Sequence, residues 1–350
     1  MRQEPFATTS IAFPVDMSDP YPHLVADVGG THARFAIVES PGRRPIRVQA
    51  FRCAEFTGID DAIRAYLRRE GLAMPRHGAI GIATPVTGDD IAMTNGRWRF
   101  AVPALRAALG LERLVVVNDF TALALGLLSL AADERFQLGG EAPPEDAAIA
   151  LIGAGTGLGV SGLVRCGEGV AAIAGEGGHV TLAAGSARES AIIDRLARRF
   201  GHVSAERALS GPGLSAMHDA IRELAGQSPS PLPPEVISAR ALAGECPHCI
   251  ETVDTFCELL GSFAADVALT LGARGGVYVG GGIVPRLGEH FLRSGFRRRF
   301  ETKGRFSGYL AKIPVFVLQA PHAALAGAAH ALVHPLFAGR ESRAEPPPGG

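Results

Sequence analysis

Asn118 and Asp119 stand where two apolar segments meet, in the stretch "LVVVNDFTALALG". Burying an unpaired carboxylate is costly, so this pair is expected either at an exposed strand end or against a ligand. A purely structural role is also open. Asp119 precedes the run "FTALAL" and can cap a helix by accepting a backbone N–H.

Glycine turns supply a second kind of chemistry. In "ADVGGTHARFAIV", from Ala26 to Val38, Asp27 ends a strand and Val28 leads into Gly29, Gly30 and Thr31. Successive amide N–H groups in such a turn can form an anion-binding nest, and Thr31 adds a hydroxyl. Asp27 would attract Mg²⁺ or its waters, a cation that accompanies nucleotide phosphates. An ordinary hairpin turn is the alternative, and no Gly-Lys-Ser/Thr follows to make a Walker A loop. "GAGTGLGV", with Gly155, Thr156 and Gly157, can cradle phosphate by the same physics. A strand-like "GVSGLV" follows it where a dinucleotide fingerprint needs a helix. Thr31 and Thr156 hold corresponding places 125 residues apart, which suggests two halves with related openings. In "GGVYVGGGIV", Gly280, Gly281 and Gly282 allow a flat ligand to lie on backbone; a tight strand-to-helix turn reads equally well.

"AGEGGHV" places Glu176 and His179 three residues apart in a glycine-bent segment. Their side chains can converge on one ligand. One Glu and one His make a thin metal site, and sugar hydroxyls suit a carboxylate and an imidazole better. In "HVSAERALSGPGL", Ser204 can cap a helix containing Glu206, with "SGPG" ending it. Glu206 reads by default as a solvated helix residue.

The elements that must position these groups alternate strand and helix, which argues an α/β protein. "HLVADVGG", "ARFAIVE", "RVQAFR", "HGAIGIATPV" and "LERLVVVND" read as strands. "GIDDAIRAYLRRE" reads as a helix with Ile59, Ile63 and Leu67 on one face, and "FTALALGLLSLAA" as another. Residues 249–273 read as one long helix, "PVFVLQ" as a late strand, and "HAALAGAAHALVH" as a final small-residue helix. Residues 1–21 read as a flexible leader, and the polar, Pro-rich residues 339–350 as a disordered tail.

Composition bounds the function. Hydrophobic residues at 47% and charged residues at 20% allow a large core over 350 residues. A net charge of −1 points to no nucleic-acid or membrane-surface partner. The uncharged window 147–164 has a spanning length, but its five glycines read as strand, turn, strand, so a soluble protein is expected. Residues 1–22 contain no apolar secretory segment. Five cysteines, an odd number, fit a reducing cytosol. "CPHC", Cys246 to Cys249, has only Cys257 following nearby and no second pair to complete a zinc site, so it reads as a helix start.

Taken together, "DVGGTHARFA", "TNGRW", "VNDFTA", "GAGTGLGV", "GEGGHV", "GHVSAERALSGPGL", "GGVYVGGGIVPR" and "SGFRRRFETKGRF" resemble the bacterial glucokinase family. This is the branch of the hexokinase–actin superfamily outside the ROK proteins. The resemblance runs from about His23 to about His334; His32 departs from it, where the family often carries Asn. It implies a two-domain α/β fold of the actin-like, hexokinase type with a ligand cleft between domains. The small domain is expected over residues 22–129 plus 320–338, the large one over 130–319. It implies ATP-dependent phosphorylation of D-glucose at the 6-hydroxyl, with Mg²⁺, in a cytoplasmic homodimer. Sugar contacts carry over to Asn118, Asp119, Glu176, His179 and Glu206, with Asp119 as general base. Nucleotide contacts carry over to residues 26–31. Phosphoryl transfer asks mainly for alignment and charge stabilisation, and closure over the substrates would exclude water. A kinase for another hexose, a sugar-sensing regulator and an actin- or chaperone-like nucleotide switch are the competing readings. The last two lack, respectively, a DNA-binding unit and a use for the Asp119, Glu176 and His179 set.

Overall fold

The computed structural model describes residues 20–94, 96–167 and 169–338. The expected leader, up to residue 19, and the expected tail, 339–350, lie outside the described residues, as does Asn95 of "TNGRW". The chain divides into two compact units. The first comprises the described residues up to Ala131, with Cys166–Ala174 and the chain from Ala320 onward. The second comprises Ala132–Arg165 and Gly175–Gln319.

The first unit is built on a five-stranded sheet. Strands β1 (His23–Val28), β2 (His32–Val38), β3 (Ile46–Arg52), β4 (His77–Ile82) and β7 (Arg113–Asn118) lie in the order β3-β2-β1-β4-β7. β1 pairs β2 antiparallel and β4 parallel, and β4 pairs β7 parallel. Short strands β5 (Asp90–Ala92) and β6 (Arg99–Ala101) form a separate antiparallel ribbon. β4 is buried over five of its six residues, the continuous burial of a central strand covered on both faces. Helix α1 (Ile59–Glu70) buries Ile59, Ile63 and Leu67, the face its periodicity predicts, together with Ala62 and Tyr66. Its C-terminus is closed by Gly71 in the left-handed conformation.

Helix α2 (Val102–Leu109) leads to β7, and α3 (Asp119–Gly126) leaves it. The predicted helix "FTALALGLLSLAA" is shorter than expected: it ends at Gly126, and a 3₁₀ turn covers Leu127–Ser129. The small-residue helix Ala323–Val333 packs against α3. A side chain on Gly327 would put its Cβ 1.6 Å from the Ala122 carbonyl oxygen, so small residues here set how closely two helices approach.

The second unit repeats the scheme. Strands β8 (Arg135–Gln137), β9 (Ile149–Ala154), β10 (Leu158–Cys166), β12 (Val277–Gly280) and β13 (Val315–Leu318) lie in the order β10-β9-β12-β13-β8, while β11 (Gly169–Gly175) falls almost wholly in the first unit's span of chain. β9 pairs β10 antiparallel and β12 parallel, and β12 pairs β13 parallel. This is the same sequence of pairings that β1 makes with β2 and β4, and β4 with β7. The related openings read from Thr31 and Thr156 therefore head sheets of the same topology.

Helices α4 (Ala187–Phe200), α5 (Ala205–Ala208), α6 (Gly211–Leu224), α7 (Pro234–Leu242) and α8 (Pro247–Leu271) follow. The 25-residue α8 buries Val253, Phe256, Leu260, Ala264 and Ala268, a stripe at three- and four-residue spacing. The helix holding Glu206, α5, ends at Ala208, just before "SGPG", but that segment is more than a stop. It starts α6, where Ser210 accepts a hydrogen bond from the Gly213 N–H at 3.1 Å and Pro212 sits in the first turn, where its missing N–H costs nothing. Ser204 occupies the N-cap of α5 without a side-chain cap bond.

Candidate active site

In the first unit, β7 ends at Asn118 and α3 begins at Asp119. The capping role expected of Asp119 belongs chiefly to its neighbour. Asn118 Oδ1 accepts from the N–H groups of Phe120 at 2.9 Å and Thr121 at 3.3 Å. Asn118 Nδ2 donates to the Thr84 carbonyl at 3.3 Å. Its carbonyl oxygen is thus committed to α3, while the second Nδ2 hydrogen remains for a ligand. Asp119 Oδ1 takes a hydrogen bond from Phe120 N–H at 2.9 Å. Asp119 stays partly exposed in the first turn of the helix, where the backbone dipoles favour a carboxylate.

Asp27 lies near the end of β1, directly across from Arg34 of β2. Arg34 donates to Asp27 Oδ2 at 3.0 Å. Burial pushes the Asp27 carboxyl above its ordinary value; the Arg34 guanidinium and the charge of His322 oppose this without reversing it. A carboxylate that burial makes costly gains from an added cation, so Asp27 fits Mg²⁺. With Arg34 already on Oδ2, the fit is a contact through the ion's waters, which Mg²⁺ gives up reluctantly. The side chains of Ala26 and Val28 are fully buried, so that segment offers a ligand Asp27 and the turn at Gly29, Gly30 and Thr31. The turn is pinned by Gly29 N–H to His32 O at 2.9 Å and Cys53 N–H to Thr31 O at 2.9 Å.

In the second unit, the Gly155–Gly157 turn joins β9 to β10. Gly155 N–H donates to Gly157 O, and Gly211 N–H at the head of α6 donates to Gly155 O, both at 2.8 Å. Gly281 follows β12 at φ +84°, and a Cβ there would lie 2.3 Å from the Ala154 carbonyl oxygen. Only glycine fits this crossing of strand ends. Above it opens a cavity of about 550 Å³. Its lining includes Gly155, Thr156 and Gly282, Gly211, Pro212 and Leu214 of α6, and Pro234, Glu235 and Ser238 of α7. Its size and mixed lining suit a small organic ligand. The glycines are legible in the sequence and the part played by α7 is not: "PPEVISARAL" shows a proline start and a modest helical pattern, and nothing local marks Glu235 or Ser238 as cavity residues.

Glu176 precedes the 3₁₀ turn Gly177–His179 that follows β11, and His179 ends it, with Glu176 Oε2 and His179 Nε2 4.0 Å apart. Both side chains are more than half exposed, so they can take a ligand. Glu206 is not a solvated helix residue. Its Oε2 accepts from Leu158 N–H at 2.9 Å, which ties α5 to the second glycine turn.

Two sheets of one topology, each opening on a glycine hairpin, place the chain among the actin-like ATPase fold. The family model described as glucokinase matches residues 24–335. A glucokinase of Aromatoleum aromaticum is 60% identical over 91% of this chain and 97% of its own length. A Chromobacterium violaceum glucokinase is 50% identical over 91% of each chain. Among solved structures, a glucokinase from an Antarctic psychrotroph superposes with a TM-score of 0.79 at 35% identity, covering 88% of this chain and 97% of its own. The chain belongs to the glucokinase family. Among the described residues, no helix is long and apolar enough to cross a membrane.

Proposed function

We infer that the protein transfers the γ-phosphoryl group of ATP to the 6-hydroxyl of D-glucose, giving glucose 6-phosphate and ADP. Membership of the glucokinase family supports the reaction. The observation that carries the residue assignment is the division of labour at the head of α3: Asn118 caps the helix and leaves Asp119 partly exposed beside it. The two compact units correspond, on this reading, to the small and large domains of the resemblance.

Asn118, Asp119, Glu176, His179 and Glu206 would hold the sugar hydroxyls. The 6-hydroxyl oxygen forms a bond to the γ-phosphorus as the bond from that phosphorus to the β,γ-bridging oxygen breaks. The hydroxyl proton passes to Asp119, and ADP leaves with the bridging oxygen. With the Gly29 and Gly155 N–H groups already bonded within their turns, the N–H groups of Gly30 and Thr31, and of Thr156 and Gly157, would face the phosphates. The cavity beside Gly281 and α7 would take the nucleoside. Mg²⁺ would neutralise phosphate charge, held by Asp27 through water.

An ADP-release assay with glucose, mannose, glucosamine or no sugar tests this reading. Glucose is expected to give the highest kcat/KM, with little ADP formed in its absence. Sugar-independent ADP release would return the chain to the nucleotide-switch reading, and faster turnover of another hexose would displace glucose. Use of an intracellular ATP pool accords with a cytoplasmic location, and the five cysteines are all unpaired. The resemblance adds a homodimer, which sedimentation of the purified chain would test.

A further inference from the structure

We propose that His218, Cys246 and Cys249 form a binding site for a thiophilic divalent cation of the zinc class. Their ligating atoms all lie within 4.8 Å of one another. Zn–S bonds of about 2.3 Å put tetrahedral sulfur ligands about 3.8 Å apart, so small side-chain adjustments close the set. The second observation is the state of His218. It is 1% exposed, and neither of its ring nitrogens has a hydrogen-bond partner. A shielded imidazole with both nitrogens unsatisfied is costly, and a metal ion would use one of them.

The three residues come from two helices of the second unit. His218 lies in the middle of α6, Cys246 is the N-cap of α8, and Cys249 is in that helix's first turn. Cys249 N–H donates to Cys246 Sγ at 3.3 Å, which holds both thiols at the helix start. Cys249 is buried and Cys246 is half-buried, so the fourth coordination position opens on the Cys246 side, where water would complete it. Binding releases two thiol protons to solvent, and two thiolates balance the charge of the dication. The sequence alone disfavours zinc because no second ligand pair follows "CPHC". His218, 28 residues upstream, is brought in by the packing of α6 on α8.

The site would also brace the cavity. Gly211, Pro212 and Leu214 line it within the two turns before His218, and α7, which also lines it, ends four residues before Cys246. The metal assignment does not depend on the catalytic reading.

The test uses the reduced, untagged, full-length chain, stripped with chelator and titrated anaerobically with Co²⁺ and then Zn²⁺. The expected result is one equivalent of cobalt per chain with a thiolate-to-cobalt charge-transfer band, displaced by zinc. Cys246→Ser should keep the fold by circular dichroism and bind about tenfold more weakly or worse, with a diminished band. His218→Asn should behave alike; if it fails to fold, Cys246→Ser carries the test. Cys166→Ser, at an exposed cysteine, should bind as the wild type does. Absence of the band in the reduced wild type, or an unchanged band in Cys246→Ser, overturns the proposal. A Cys246–Cys249 disulfide formed in air, with no metal bound by the reduced chain, assigns the pair to redox chemistry and overturns it equally.

Discussion

Glu206 reaches across the second unit to the glycine turn: its Oε2 accepts the Leu158 N–H at 2.9 Å. One carboxylate oxygen therefore anchors the hairpin, and the other is left for a ligand. Glu206→Gln keeps an acceptor for Leu158, whereas Glu206→Ala leaves that N–H unpaired at a cost of about 1–3 kcal/mol. Thermal melts are expected to show a Tm lowered by several degrees in the alanine variant and little change in the glutamine variant. Both should raise the KM for glucose. An alanine variant that melts like the wild type would remove the anchoring role.

Glu176 and His179, 4.0 Å apart and largely exposed, have no packing duty that substitution would disturb. Glu176→Gln is expected to leave Tm unchanged and to weaken glucose binding about tenfold or more, since a site built for hydroxyls loses affinity when its partners change. Calorimetric titration with glucose checks this. Unchanged affinity in the folded variant would take Glu176 out of the sugar site.

Asp27 sets stability against function. Its carboxyl is raised above 3.8 in the fold, chiefly by burial. An acid raised on folding costs stability wherever it is ionised, and the cost is relieved as pH falls through the folded value. Asp27→Asn is therefore expected to melt at or above the wild-type Tm at pH 7, with the difference shrinking as pH falls below the folded pKa. Turnover with Mg·ATP should drop while glucose still binds. A variant that loses glucose binding and keeps its ATP kinetics would assign Asp27 to the other substrate.

What the sequence shows of this molecule depends on whether the signal is local. The face Ile59, Ile63 and Leu67, the two glycine turns and the long α8 are periodic or contiguous, and each is found where its pattern predicts. The cap at α3 is displaced by one residue, because Asn and Asp cap almost equally well and their order alone does not choose between them. The start of α6 was legible in Ser210 followed by Pro212, a helix-opening pair, although "SGPG" also reads as a stop. The Arg34 partner of Asp27 depends on hairpin register, which a glycine turn does not fix from sequence. The contacts of Glu206 with Leu158 and of His218 with Cys246 and Cys249 depend on packing over long separations. No window of sequence contains both members.

Phosphoryl transfer as proposed needs Asp119 as the proton acceptor. Because Asn118 supplies the principal cap, substitution of Asp119 by Asn removes the base and leaves the helix start in place. The most direct measurement is single-turnover phosphoryl transfer by Asp119→Asn, with glucose and Mg·ATP binding measured on the same preparation. Near wild-type Tm, both substrates bound, and a chemical step slowed at least about a hundredfold are expected. A variant that binds both substrates and transfers phosphate within a few-fold of the wild-type rate would contradict that role and leave Asp119 a structural residue at the head of α3.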